Sequence, residues 1–142
     1  MATDGGLNML LQSHLRFGWH WQRVETAALG AGVPDLNYCH GKFEGWLELK
    51  SCSGWRVTLR PEQYAWISRR IRTGGNVFVA ARRYGKRPVT DELWLFCGCR
   101  AEQLLTNRLM VVQPLGCWYG GPAKWAWPEV AAVLTSRCEH AH

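Results

Sequence analysis

Leu7, Leu10, Leu11 and Leu15, together with His14, recur three and four residues apart. Side chains at that spacing share one face of a helix, so residues 6 to 17 are expected to form a short amphipathic helix stopped at Gly18. The pattern then changes. "WHWQRVET" alternates bulky and polar groups, which predicts a strand over residues 19 to 26, and the small, glycine-rich "AALGAG" reads as a turn. Val33 to Tyr38 and Phe43 to Ser51 are two strand-like runs separated by "CHGK", an antiparallel hairpin. After the break "SCSG" the chain extends again through "WRVTLR". Pro61 suits the first position of a helix over about residues 61 to 72, ended by Gly74-Gly75.

"NVFVAAR" is an almost unbroken apolar run, as expected of a strand covered on both faces. "ELWLFC" is expected as its neighbour after the polar turn "YGKRPVTD", and "RAEQLLTN" as a short helix. "MVVQPLGCWYGGPAKW" reads as irregular, and "PEVAAVLTSRC" as a closing helix begun by Pro128. Helix, meandering strands, helix, two strands and further helices make an α/β fold with a central mixed sheet flanked by helices.

At 142 residues the chain has room for one domain, with a core over about residues 7 to 100 and a helical appendage over about 100 to 142. Apolar residues reach 47 % and include nine tryptophans, a composition that packs rather than one that stays disordered. No apolar run approaches the roughly 20 residues that span a bilayer, and the N-terminus has no basic region preceding an apolar stretch. A soluble, cytoplasmic protein is expected, with cysteines 39, 52, 97, 99, 117 and 138 reduced. Cys97-Gly98-Cys99 lacks the two-residue spacing of a zinc knuckle, and Cys138, His140 and His142 read as a polar tail.

Charge sharpens the picture. Lys and Arg number 17 against 11 acids, and nine of them (Arg56, Arg60, Arg69, Arg70, Arg72, Arg82, Arg83, Lys86 and Arg87) fall in one segment with a single acid, Glu62. Such a surface suits a polyanion, because neutralised phosphates release their counterions. These nine and Arg23 are the candidate DNA contacts. Trp55 and Trp66, set among the arginines, are candidates for base stacking or core packing.

The acids with a clear geometric relation lie just upstream. Along a strand, residues two apart face the same way, so Glu48 and Lys50 point together while Leu49 points into the opposite layer. With Asp35 opening the preceding strand, the hairpin brings two carboxylates and an ammonium to one place. Carboxylates are hard ligands for Mg²⁺ or Mn²⁺, which activate water and offset charge on phosphorus, while a lysine stabilises developing negative charge. The other reading of the same residues is an exposed ion pair on a surface hairpin. His40, in the hairpin loop, is expected close to Asp35, with His20 a second candidate acid or base. Asp4, Asp91, Glu92 and Glu102 have no partners at useful spacing and are expected to be solvated.

On Gly32-Val33-Pro34-Asp35, Glu48-Leu49-Lys50 and Pro61-Glu62-Gln63, the chain resembles the PD-(D/E)xK nuclease superfamily, and within it the small, often phage-encoded VRR-NUC and Holliday-junction-resolvase-like proteins. The resemblance covers about residues 19 to 83. It implies a restriction-endonuclease-like core and a Mg²⁺- or Mn²⁺-dependent DNA endonuclease acting on branched or structured DNA. It makes Asp35 and Glu48 metal-binding acids, with the Leu49 carbonyl as a further ligand. Lys50 becomes the catalytic lysine, with Gln63 beside it. A glutamate that many such relatives carry on the first helix has no counterpart here, and Glu25, which can equally pair with Arg23, is the upstream acid left to fill its role. Symmetric cutting of two strands needs two sites, hence an expected homodimer. A non-catalytic nucleic-acid-binding module and a sequence-preferring nickase or restriction-type nuclease stay open beside this reading.

Overall fold

The structure is a computed structural model that describes residues 4–24 and 32–138. Its elements are α1 (Leu7–His14), β1 (Trp19–Arg23), β2 (Leu36–His40), β3 (Phe43–Cys52), α2 (Pro61–Arg72), β4 (Val77–Lys86), β5 (Val89–Cys97), α3 (Ala101–Thr106), β6 (Gly116–Trp118) and α4 (Trp127–Leu134). The six strands form one sheet in the order β1-β2-β3-β4-β5-β6. Only β3 and β4 run parallel, and α2 is the crossover that joins them. The fold is therefore α/β, a six-stranded mixed sheet flanked by helices. No helix among the described residues is long and apolar enough to cross a membrane.

Strand alternation divides the apolar residues between two layers. Leu36, Tyr38, Leu47, Leu49, Ala80, Leu93 and Leu95 pack with α1 and α4, while Val77, Val79, Ala81, Trp94 and Phe96 pack with Ile67 of α2 and with Ala101 and Leu104 at α3. Both faces of β4 are thus covered, which is why residues 77 to 81 are buried without a break.

Four expectations change. The polar turn expected over "YGKRPVTD" shrinks to Arg87-Pro88, because Tyr84, Gly85 and Lys86 pair with Asp91, Thr90 and Val89. Long side chains stabilise this longer ladder: Arg82 pairs diagonally with Asp91 and Arg83 directly with Glu92. Asp91 and Glu92 therefore have partners, and Glu92 is buried. The stretch read as irregular contains β6, whose Trp118 lies opposite Leu93. Nor does the segment after residue 100 stand apart. Trp118, Trp125, Val130 and Leu134 belong to the same core as α1, and the buried Tyr38 hydroxyl donates to the Leu134 carbonyl at 2.5 Å.

Candidate active site

The site forms where β3 parts from β2. Pairing between them ends at Leu36 and Leu47, whereas β3 runs on beside β4 as far as Cys52. Pro34 has no amide to continue the β2 ladder. Past Leu47 the β2-facing edge of β3 accordingly needs other partners. Asp35 supplies one, its Oδ2 accepting the Leu49 amide at 2.8 Å. This bond fixes Asp35 beside the Glu48-Leu49-Lys50 segment, as expected for a hairpin whose second strand overruns its first.

Gln63, in the first turn of α2, ties the remaining groups together. Its Nε2 donates to Glu48 Oε1 at 2.7 Å, and its Oε1 accepts from Lys50 Nζ at 3.0 Å and from the Arg60 amide at 2.9 Å. Lys50 Nζ also lies 3.3 Å from Glu48 Oε1. The glutamine thus satisfies a backbone donor at the helix start and orients two site residues at once. Arg56 and Arg60 flank the resulting cleft of about 580 Å³, which is also lined by Asp35, Glu48, Lys50 and Gln63.

Glu48 is 2 % exposed, and its Oε2 is buried with no hydrogen-bond partner. Burial, reinforced by the charge of Asp35 and opposed by Lys50, pushes the Glu48 carboxyl up to about 7. Burial also raises Asp35, against the Leu49 amide and Lys50, which lower it. A buried carboxylate oxygen without a donor is an acceptor that either a proton or a cation can satisfy. Together with Asp35 and the Leu49 carbonyl, on the same strand edge as its bonded amide, it makes a set of hard oxygens that fits Mg²⁺ or Mn²⁺. No group of three or more His, Cys, Asp or Glu side chains able to hold a metal occurs among the described residues. Few protein ligands are what Mg²⁺ tolerates, since it keeps several waters.

A pH dependence follows. A metal ion held by Glu48 would have to displace its proton, and because burial pushes this carboxyl up to about 7 the proton competes below that pH. Apparent Mn²⁺ affinity, measured by calorimetry, is expected to rise about tenfold per pH unit up to roughly 7 and to level off above it. A flat profile from pH 5.5 to 8.5 would remove Glu48 from the ligand set.

Asp4, expected to be solvated, instead receives the amides of Gly6 and Asn8 at 2.8 and 3.2 Å at the start of α1. With Arg23 it lines a hollow of about 230 Å³ on the far side of Asp35, and its charge adds to the upward push on that carboxyl. No spacing in the sequence signals this meeting, which depends on α1 packing across the sheet. Glu25 lies outside the described residues.

Most of the predicted basic residues are exposed: Arg23, Arg56, Arg60, Arg69, Arg70, Arg72, Lys86 and Arg87. Two are not available as free phosphate ligands. Arg82 forms a bidentate pair with Asp91 at 2.9 and 2.8 Å and donates to the Gly5 carbonyl, while Arg83 bonds Glu92 at 3.0 Å and lies 3.6 Å over the Trp55 ring. Trp55 is covered by that guanidinium and meets Trp94 edge-on. His40 is likewise not beside Asp35. It ends β2 while Asp35 precedes the strand, a separation of roughly 17 Å at strand rise, and it packs against Trp19 instead. Compared with known proteins, the chain matches no family model, no curated sequence and no solved structure.

Proposed function

We propose that the protein is a divalent-metal-dependent DNA endonuclease, built on a restriction-endonuclease-like core of the PD-(D/E)xK kind and hydrolysing phosphodiester bonds. One observation carries this reading: the buried, partnerless Glu48 Oε2 beside Asp35, in a cleft shared with Lys50 and edged by Arg56 and Arg60. A surface ion pair has no reason to hold a carboxylate oxygen away from both water and donors.

Asp35, Glu48 and the Leu49 carbonyl would hold Mg²⁺ or Mn²⁺. When bound, the ion polarises the scissile phosphate and lowers the pKa of a water. Lys50 offers its ammonium to the negative charge that develops on the phosphoryl oxygens. Gln63 keeps Lys50 and Glu48 in place through both ends of one amide, so neither must reorganise during the reaction. Arg56 and Arg60 take the flanking phosphates, a contact that positions the strand without reading its sequence. Preference for branched DNA and action as a homodimer extend the same proposal.

Labelled linear duplex, flap and four-way-junction substrates incubated with Mg²⁺, Mn²⁺ or EDTA test it. Cutting is expected only with metal, and Lys50→Ala is expected to lower the rate by about 10²- to 10³-fold, with Asp35→Ala at least as damaging. Variants that cut like the parent would dismiss the site. A parent that binds in EDTA and never cuts would make the protein a binding module, and one defined cut in linear duplex would make it a sequence-preferring nuclease.

A further inference from the structure

The exposed flank of α2 carries a second feature that the metal site does not use. Trp46 of β3 and Trp66 of α2 meet nearly edge-on with centroids 5.1 Å apart, and the Arg70 guanidinium lies over both rings, 5.3 and 4.6 Å from their centroids. The stem of Arg70 is fixed as well. A Cβ on Gly75 would stand 2.5 Å from Arg70 Cγ and 2.6 Å from Cδ, so the glycine leaves the space that this side chain fills. The result is a guanidinium placed over two aromatic rings while the residue remains exposed.

Trp66, Arg69 and Arg70 border an open groove of about 550 Å³ along α2. Its other end is Glu62, paired with Arg60 at 3.5 Å, and Arg60 also borders the metal cleft. Groove and cleft therefore adjoin. On β3 the alternation that aligns Glu48 with Lys50 puts Trp46 on the same face, one repeat from Glu48, about 7 Å. That is the axial length of roughly two stacked nucleotides.

Resting on the proposed nuclease reading, we infer that the Trp46–Trp66–Arg70 platform stacks an unpaired nucleobase of the strand whose phosphate enters the cleft, which makes the substrate a nucleic acid with single-stranded nucleotides beside the cut. A guanidinium plane backed by tryptophan offers a flat face to a base and N–H groups to its phosphate. Bases inside a duplex are stacked on one another and have no face to offer, so the platform takes unpaired bases. The neighbouring Arg69 adds a charge for the next phosphate. Trp55, with its ring already covered by Arg83, does not serve in this way.

The test measures binding in EDTA, where cleavage plays no part. The probes are a fluorescein-labelled oligothymidylate, a blunt duplex and the same duplex with a single-stranded flap. Trp66→Ala is expected to weaken binding of oligothymidylate and flap by roughly tenfold and to leave the blunt duplex within about twofold, while Trp66→Phe keeps most of the affinity. Arg70→Lys, which retains the charge and loses the plane, is expected to show the same selective loss and serves if Trp66→Ala melts early. Equal loss on duplex and single strand, or no loss with either variant, overturns the inference. A parent that never cuts with any metal yet shows the selective loss would defeat the nuclease reading and leave the platform standing.

Discussion

Glu48→Gln is expected to abolish cleavage and, in the absence of metal, to make the protein more stable at neutral pH. The loss follows because an amide cannot replace an anionic metal ligand, and a drop of about 10²-fold or more is expected. The gain follows from burial. Glu48 titrates at about 7 in the fold against an ordinary 4.5, so ionising it opposes folding. Below pH 4.5 the group is protonated folded or unfolded and contributes nothing. As pH rises through 4.5 to 7 the unfolded chain releases the proton first, and stability falls by up to about 3 kcal/mol.

Glutamine is free of that pH-dependent cost, but its amide nitrogen inherits the partnerless position of Oε2, and Lys50 loses its charged neighbour. A net gain of about 1–2 kcal/mol at pH 8, turning into a net loss of about 1 kcal/mol at pH 5 where the unsatisfied amide outweighs the remaining ionisation cost, is expected in denaturant titrations with EDTA. Saturating Mn²⁺ should reverse the order, since only the parent gains from binding it. A glutamine variant less stable than the parent at pH 8 in EDTA would show that the ionised carboxylate is satisfied within the fold.

What the sequence made legible was governed by short-range geometry. Glu48 and Lys50 share a face because strands alternate, and Gln63 falls in the first turn of α2 because Pro61 begins it. The union of Asp35 with these residues needed only the hairpin between them. Errors arose where register or packing decided. Tyr84 to Asp91 has the composition of a turn, yet cross-strand pairing of Arg82 and Arg83 with Asp91 and Glu92 carries both strands past it. The same pairing takes Arg82 and Arg83 out of the set of exposed basic residues expected to contact DNA. Asp4 reaches the neighbourhood of Asp35 only through the packing of α1, and β6, three residues long, depends on the partner that β5 provides.

Gly32→Ala is expected to cost more activity than its distance from the chemistry suggests. Gly32 has φ +88°, where an alanine is strained by roughly 1–2 kcal/mol, and an added Cβ would stand 2.1 Å from the Glu62 carbonyl oxygen and 2.6 Å from its carbon. Those atoms are backbone in the first turn of α2 and cannot rotate away. Either the segment leading to Asp35 moves or the helix start carrying Gln63 moves, and each holds part of the site. A destabilisation of about 2–4 kcal/mol is expected in urea unfolding, with a cleavage rate at least tenfold lower under conditions where the variant is fully folded. Gly41→Ala is the control. Its φ is +62° but nothing lies within 4 Å of the added Cβ, so it should bear the strain alone and cut at the parental rate. If Gly32→Ala, fully folded, also cut at that rate, the contact between the glycine and α2 would have no part in aligning Asp35 with Gln63.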